Sequence, residues 1–428
     1  MLDRGGRRGL CVAAVLVVAC GSRTELLVPE ETEASLPDVQ NDVARDVAQE
    51  PDVIEKDTSP PVDAAPDVPI LPLNGTRITA GSASTCAINA SGGVECWGED
   101  FYGELGNGTT GMFNTPQQVV GLTSGVVAIA ADVFGACAVT ATGTASCWGQ
   151  NNYGQLGNGS FIGSQAPTAV GGISTAVGIA GGGIYASCIL LGGGGVECMG
   201  GDYDGNLALG SITSMTYNQA QASKVTGAIA LGGSGVGGTT ANCAVIGDGT
   251  VQCWGFMEYS LGDGVTAASG APFAVPGITD AVQVASSGVN ICIVLADGTL
   301  SCWGENLWGE VGDGTTITRK TPVKTLVTNV VSVSIGNFHT CVVTNQGSVE
   351  CVGYNASGQL GNGSNSLGAT TTWQEALTTG AVAVACGDSH TCALMSDEKV
   401  YCWGNNNDGE IGDGTYINRD SPVVVTGF

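Results

Sequence analysis

The chain has 428 residues, 43% hydrophobic and only 12% charged, with a formal net charge of −26 at pH 7. Glycine accounts for 69 residues, more than twice the usual share, without a collagen period. This composition favours an all-β protein with many tight turns over a helical or disordered one. No basic patch interrupts the negative charge, which argues against nucleic acid and anionic lipid headgroups as partners.

Residues 1–19 are predicted to be a lipoprotein signal peptide. Three arginines lie within the first eight residues, and an apolar run follows from 10 to 18. That run is too short to span a bilayer. It ends at Ala19, directly before Cys20, and resembles the bacterial lipobox, in which the cysteine takes the lipid. The alternative is an ordinary secretory signal with an unmodified Cys20.

Residues 20–72 are predicted to be a disordered linker. They are rich in proline, and 13 acidic residues between Glu25 and Asp67 are opposed only by Arg45 and Lys56. Such a segment cannot bury enough apolar surface to order itself. A flexible chain of about 50 residues reaches roughly 40 Å, so we expect a stalk that holds the folded part away from a membrane.

Residues 73–428 contain seven pairs of cysteines, and the two members of each pair are ten positions apart. From one pair to the next the step is 51, 51, 55, 49, 49 and 51 residues. A period near 50 residues indicates one supersecondary unit repeated along the chain. The predicted disulfide pairs are Cys86 with Cys96, Cys137 with Cys147, Cys188 with Cys198, Cys243 with Cys253, Cys292 with Cys302, Cys341 with Cys351, and Cys392 with Cys402.

The second unit shows how each repeat is expected to fold. The sequence predicts four short antiparallel strands, the pattern of a propeller blade, at residues 126–130, 136–139, 144–149 and 168–170. The paired cysteines face each other across the central hairpin, within disulfide range. Each bridge is worth roughly 2.5–3 kcal/mol in the chain-entropy model and implies an oxidising compartment. A zinc site is disfavoured because CxxC and His-containing clusters are lacking.

The loop after each pair carries a recognisable motif. Cys147-Trp148-Gly149 followed by residues 154–159 (GQLGNG) resembles the regulator of chromosome condensation repeat, as do residues 103–108, 309–314, 358–363 and 409–414. The His-Thr-Cys elements at His339 and His390 match the same family. The resemblance covers all seven units and implies a seven-bladed β-propeller. Met199 and Val352 replace the tryptophan in units three and six, and the loops of units three and four are irregular.

The ends of the repeat region suggest how the ring closes. A strand-like segment near residues 76–81 begins it, and residues 421–425 end it. We expect the last strand to complete the first blade, because pairing between the N- and C-terminal strands would leave no free sheet edge.

The sequence contains no recognisable set of catalytic residues, and we therefore predict that the protein is not an enzyme and takes no cofactor or metal. Both histidines, His339 and His390, occupy the same repeat position and are therefore predicted to be scaffold. Asp388-Ser389-His390 cannot adopt triad geometry, because its residues are contiguous. Cys386 has no partner in the repeat pattern and lies where other units have mostly small residues, so we expect a buried thiol.

Four aromatic residues are the candidate partner-binding set. Tyr102, Tyr153 and Trp308 precede the first glycine of the loop motif, and Tyr259 lies one position later. Equivalent positions in a propeller lie on a circle, so these rings should occupy one rim, where exposed aromatics are typical interface hot spots. The alternative is that each ring packs on its neighbouring blade and has no partner.

These features predict a lipid-anchored binding scaffold of the bacterial cell envelope. We expect a monomer that faces an extracytoplasmic space, touches the membrane only through its anchor and binds a protein or polymer. A glycan-binding or glycan-active propeller is the alternative, with Trp308 and Glu305 as its only local pair. A structural surface spacer is the third possibility. The resemblance also implies guanine-nucleotide exchange, which an exported chain with an acidic tail does not suit.

Overall fold

The computed structural model describes residues 77–233, 241–265 and 267–428. The predicted signal peptide, the linker and Cys20 lie outside these residues. The described part contains 28 β-strands and no helix, so it offers no helical segment suited to crossing a bilayer. In chain order the strands are β1 (Ile78–Ala80), β2 (Ser84–Ile88), β3 (Val94–Asp100), β4 (Gly111–Gln118), β5 (Val126–Ala131), β6 (Gly135–Thr140), β7 (Ala145–Gly149), β8 (Ser164–Ala169), β9 (Ala176–Gly182), β10 (Ala186–Leu191), β11 (Val196–Gly201), β12 (Thr216–Ala222), β13 (Ala228–Gly232), β14 (Asn242–Ile246), β15 (Val251–Gly255), β16 (Ser269–Ala274), β17 (Ala281–Ser286), β18 (Asn290–Leu295), β19 (Leu300–Gly304), β20 (Arg319–Lys324), β21 (Val330–Ile335), β22 (His339–Thr344), β23 (Val349–Gly353), β24 (Thr370–Leu377), β25 (Ala381–Cys386), β26 (His390–Met395), β27 (Val400–Gly404) and β28 (Arg419–Val424).

Each successive group of four strands forms one antiparallel sheet, which confirms seven four-stranded blades. We call the strands of a blade A to D in chain order. The seven A strands line a central channel of about 180 Å³, and most residues along it are small, such as Ala80, Ala131 and Gly232. Small side chains are needed there because seven strands converge on one axis. The predicted seven-bladed β-propeller is confirmed.

The seven predicted disulfides are also confirmed, one in each blade. In every blade the two cysteines are directly opposite in the register of strands B and C, as Cys137 and Cys147 are on β6 and β7. Their Cα atoms lie 4.0 Å apart in that blade. The bridge therefore fixes the register of the central hairpin. In blade order the bridges join Cys86 to Cys96, Cys137 to Cys147, Cys188 to Cys198, Cys243 to Cys253, Cys292 to Cys302, Cys341 to Cys351, and Cys392 to Cys402.

The hydrophobic core lies between neighbouring blades rather than inside any one of them. One cluster joins Cys86, Val94 and Leu105 of the first blade to Ile129 and Trp148 of the second. A sheet must bury its apolar face against another layer, and here that layer is always the next blade. No blade can therefore be stable by itself.

The prediction that terminal strands pair to close the ring is wrong. The N-terminal strand β1 pairs with β2 in the first blade, and the C-terminal strand β28 pairs with β27 in the seventh. Each blade is complete within one repeat, so no strand is left over to be exchanged. The seam is closed instead by packing and by side-chain hydrogen bonds.

The contacts at this closing seam repeat those at an internal seam. Thr85 Oγ1 of blade one lies 2.9 Å from His390 Nε2 and donates to the carbonyl of Glu410, both in blade seven. Thr391 Oγ1 of blade seven lies 2.8 Å from His339 Nε2 and donates to the carbonyl of Gln359, both in blade six. The two seams therefore have the same hydrogen bonds. They differ in that the chain runs directly from blade six to blade seven, whereas no peptide link joins blade seven to blade one.

This equivalence predicts similar losses for Thr85→Val and Thr391→Val. Each substitution leaves a buried histidine nitrogen without a partner and removes one of the two donors to a buried carbonyl, the other donor being the indole of Trp97 or Trp403. This should lower the free energy of unfolding by about 1–3 kcal/mol. Urea denaturation of the two variants, measured side by side, checks this. A much larger loss for Thr85→Val would show that the closing seam depends on this contact in a way that the internal seam does not.

Candidate functional site

The two faces of the ring differ in the connections that they carry. In blade two the A–B turn (132–134) and the C–D loop (150–163) leave one face, which we call the loop face. The B–C turn (141–144) and the link to the next blade (170–175) leave the opposite face. The other blades follow the same order, so every C–D loop starts and ends at the loop face. Each motif also contacts the link to the next blade, as where the amide of Val120 donates to the carbonyl of Gly106.

Each C–D loop is held rigidly by hydrogen bonds from its own motif residues. In blade two, Asn151 Oδ1 accepts from the amide of Leu156, and Gln155 Oε1 accepts from the amide of Tyr153. Leu156 is buried between the blades. The loop motif is therefore first of all a structural element, and the variable residues between its anchor points form the surface.

In four of the seven blades the motif tryptophan locks the C–D loop of the preceding blade through a hydrogen bond from its indole nitrogen. Trp148 Nε1 of blade two donates to the carbonyl of Glu104 in blade one, at 2.7 Å. The indole packs so closely on Gly106 that an added Cβ would lie 2.8 Å from Nε1, and this glycine has a φ of +63°. The same contact joins Trp403 to Gln359, Trp254 to Asn206 and Trp97 to Glu410. We call this contact the tryptophan latch.

The two units without the motif tryptophan use other residues. Met199 of blade three packs on Gly157 of blade two. In blade six Val352 leaves the space open, and Trp373 of the outer strand β24 fills it, with its Nε1 3.2 Å from the carbonyl of Gly312. The role of Trp373 was not predicted from the sequence. The available signal was a tryptophan outside the motif in a repeat whose motif tryptophan is absent.

The four predicted aromatic residues all lie on the loop face, but the structure does not bring them to one place. Tyr102 packs on Phe134 of the next blade, with ring centroids 5.3 Å apart. Trp308 packs on Tyr354 of blade six at 4.6 Å. Tyr259 donates from its hydroxyl to Glu305 across the next seam, at 3.1 Å. Each ring thus spans a seam between blades.

Tyr153 belongs to a cluster of three tyrosines. It contacts Tyr185 at 4.9 Å and Tyr203 at 5.8 Å, and all three rings meet edge to face. Tyr185 and Phe134 occupy the same repeat position, three residues before the first cysteine. Phe338 stands at the same position in blade six, so three aromatic residues at equivalent places were visible in the sequence, although that position was not considered.

Exposed apolar side chains are concentrated on the loop face. Among the described residues, 18 large hydrophobic side chains are exposed, and 14 of them lie in or beside the C–D loops. They are Phe101, Tyr102, Met112, Phe161, Ile162, Tyr203, Ile212, Met215, Val265, Leu307, Ile317, Leu367, Tyr416 and Ile417. Apolar patches of this extent are typical of interaction sites, so the two faces are not equivalent.

Several carboxyl groups on the loop face are buried. The residue after the first motif glycine is Glu104, Glu310 or Glu410 in three blades, and Gln155 or Gln359 in two others. Burial raises the pKa of each of the three glutamates to about 7. In two other blades an uncharged amide takes the same place, which indicates a structural role for these carboxyl groups.

The two histidines are scaffold, as the sequence predicts, although they bond to threonine hydroxyls rather than to the backbone. Burial lowers the pKa of His339 to about 3 and that of His390 to about 4, so both are neutral. Cys386 is a buried free thiol, and burial raises its pKa to about 12. It lies near His339 and Cys341, but the disulfide to Cys351 removes the thiolate that a metal would require.

The fold and the loop face define the class of protein: the chain is a seven-bladed β-propeller with one structured loop face. Segments of it match the regulator of chromosome condensation (RCC1) repeat. Two models of this repeat match it, one at residues 126–155, 330–359 and 381–410, and the other at 143–189 and 297–343.

Known proteins agree with this description. The chain is 36% identical over 105 residues to human and mouse E3 ubiquitin-protein ligase HERC2, which is 24% of this chain but only 2% of those relatives. Prp20p of Saccharomyces cerevisiae superposes with a TM-score of 0.69 at 19% identity, covering 86% of this chain and 90% of that one. Human WBSCR16 superposes equally well at 21% identity, covering 78% and 94%. At these identities the solved structures establish the fold alone.

Proposed function

We propose that the chain is an exported, lipid-anchored propeller that binds another protein across its loop face. The concentration of exposed apolar side chains on that face carries the proposal. They surround the seams where Tyr102, Tyr153, Tyr259 and Trp308 pack. Aromatic anchors fixed by a neighbouring blade lose little conformational entropy on binding, which makes them suitable hot spots.

The comparisons support protein binding in general terms. The structure of Prp20p was described together with its binding to Gsp1p and histones, and the same propeller was solved with Kap60. These partners belong to that protein. For the present chain they support only the use of such a ring as a protein-binding surface.

A test of the loop face compares exposed isoleucines with matched residues opposite. Ile162 and Ile417 are 78% and 61% exposed in C–D loops, and Val127 and Val424 are 45% and 44% exposed at the opposite ends of strands β5 and β28. We expect Ile162→Ser with Ile417→Ser to weaken a partner captured from envelope extract at least tenfold, the effect of about 1.4 kcal/mol. Val127→Ser with Val424→Ser should leave binding unchanged.

The result also separates the three functions considered. Loss of the partner with the control pair instead would move the binding site to the opposite face. Hits on a glycan array, without a captured protein, would favour the carbohydrate-binding alternative. Absence of both would favour a structural spacer.

The anchoring part of the proposal places the ring at a bacterial cell envelope, with residues 20–72 as its stalk. Seven disulfides support an oxidising compartment. Mass spectrometry of the mature protein should find an N-terminal, lipid-modified Cys20, and Cys20→Ala should release the protein from membranes. An unmodified terminus that begins beyond Cys20 would contradict anchoring and leave the loop-face proposal untouched.

A further inference from the structure

We propose that the loop face binds an arginine-rich protein segment, which crosses from blade seven over blade one to blade three. This inference rests on the proposed function and specifies the chemistry of its partner. Three features carry it: a row of acidic groups, aromatic rings beside them, and the pairing of both loop-face arginines with aspartates.

The acidic groups begin at the seam between blades seven and one. Glu99 lies in blade one, within electrostatic range of Asp388 and Asp408 of blade seven. All three are partly exposed. The repulsion from Asp408 and Asp388 adds to burial in raising the pKa of Glu99. A bound cation would relieve this repulsion, so the seam attracts positive charge.

Aromatic rings continue the same path. Phe101 and Tyr102 follow Glu99 closely in the chain and are 54% and 49% exposed. The three-tyrosine cluster lies at the seam of blades two and three, with Asp204 directly after Tyr203. Guanidinium groups stack on aromatic faces while they pair with carboxylates, which makes arginine a better match than lysine.

Two carboxyl oxygens beside this path lack a hydrogen-bond donor. They are Asp100 Oδ2 and Glu104 Oε1, and both residues are more than nine-tenths buried. Glu104 lies within electrostatic range of Asp100 and Glu99. Both oxygens are shielded from solvent, so they act on a ligand through their charge: whatever negative charge they carry adds to that of the partly exposed Glu99 beside them and strengthens its attraction for a cation.

The positive charges of the described residues do not compete for these sites. Arg319 and Arg419 are the two arginines at the loop face, and each is held in an ion pair, with Asp313 and Asp413 respectively. Lys320 is exposed near the loop-face end of β20 in blade five, outside the path over blades seven, one, two and three. The remaining basic residues lie at the opposite end of their strands or in opposite-face turns: Arg77, Lys224, Lys324 and Lys399.

The test uses the disulfide-bonded protein and a fluorescent octa-arginine peptide, with octa-lysine as the comparison. In about 50 mM salt we expect Glu99→Gln with Asp408→Asn to weaken octa-arginine binding roughly tenfold. The matched control is Asp248→Asn with Asp297→Asn, which removes the same charge from exposed turns on the opposite face, and less than a twofold change is expected there. Tyr102→Ala with Tyr203→Ala should weaken octa-arginine more than octa-lysine.

Two results would overturn the inference. One is the absence of octa-arginine binding, and the other is equal weakening by both charge-removing pairs, which would mean attraction to net charge alone. The inference can also fail while the proposed function stands. A captured partner that is lost with Ile162→Ser and Ile417→Ser, but bound normally after Glu99→Gln with Asp408→Asn, would retain the loop face and exclude a basic segment.

Discussion

Replacing Trp148 by alanine should lower the free energy of unfolding by about 3–5 kcal/mol. The indole is fully buried at the seam of blades one and two and holds the first loop by its bond to the carbonyl of Glu104. The substitution leaves a cavity between two blades and an unpaired carbonyl. Chemical denaturation followed by tryptophan fluorescence and circular dichroism measures the loss. A change below about 1 kcal/mol would show that the latch is not a major source of stability.

Trp373→Ala tests the residue that takes the place of the motif tryptophan in blade six. Trp373 is only partly buried, so the expected loss is smaller, on the order of 2 kcal/mol. It should still exceed that of Thr372→Ala, the exposed neighbour on the same strand, which is expected to change stability by less than about 0.5 kcal/mol. Equal effects of Trp373→Ala and Thr372→Ala would mean that blade six manages without a latch.

The buried glutamates should make the protein more stable at mildly acidic pH than at pH 8. The folded-state pKa of Glu104, Glu310 and Glu410 is about 7, above the ordinary glutamate value, because burial disfavours the charged form. A raised folded-state pKa gives stability that is present at low pH and is lost as pH rises through about 7. Burial acts in the same way on Asp132, with a pKa of about 7, and on Asp100, with a pKa of about 6.

The two buried histidines act in the opposite direction. Their pKa values of about 3 and 4 lie below the ordinary value, so the unfolded chain binds more protons below pH 6.5, and stability falls there. Five carboxyl groups outnumber two histidines, so we expect the free energy of unfolding to rise between pH 8 and about pH 5. Urea denaturation across that range measures the slope.

Glu104→Gln with Glu310→Gln should remove part of this slope. Both glutamates leave Oε1 without a partner, and Gln155 shows that an amide is accommodated at the equivalent place, where its Nε2 lies 3.4 Å from the carbonyl of Ile184. At pH 8 we expect the double variant to be more stable than the parent by about 1 kcal/mol per site, and at pH 5 to be nearly equal to it. Glu410 is left unchanged because Asn405 already donates to its Oε1.

The reverse substitution is the control. Gln155→Glu places a new carboxyl group in the same environment and should lower stability at pH 8 while steepening the pH dependence. If Glu104→Gln with Glu310→Gln lowers stability at pH 8, these glutamates are charged in the folded state, and their charge is stabilising.

The blade architecture and its disulfides could be predicted from the sequence because their causes are local. Cysteines ten residues apart, such as Cys137 and Cys147, lie on one hairpin whose turn sets the register, so nothing outside the repeat is needed to bring them together. The burial of Cys386 and the scaffold role of His339 could be predicted because a repeat position has one environment in every blade. Tyr102, Tyr153, Tyr259 and Trp308 stand at equivalent or adjacent repeat positions for the same reason, and their role in binding a partner stays a prediction.

Contacts between blades could not be predicted in this way, because they join residues about 50 positions apart whose geometry depends on how the sheets pack. Trp373 entering the space above Gly312 and Phe134 beside Tyr102 are both of this kind. The closure of the ring was mispredicted because the sequence shows that the strands exist but not which blade each one joins. The repeat pattern in the sequence was sufficient to determine a ring of seven blades with one disulfide in each. Only the packed structure decided how that ring closes and which face presents its apolar and acidic surface, because both depend on side chains from neighbouring blades.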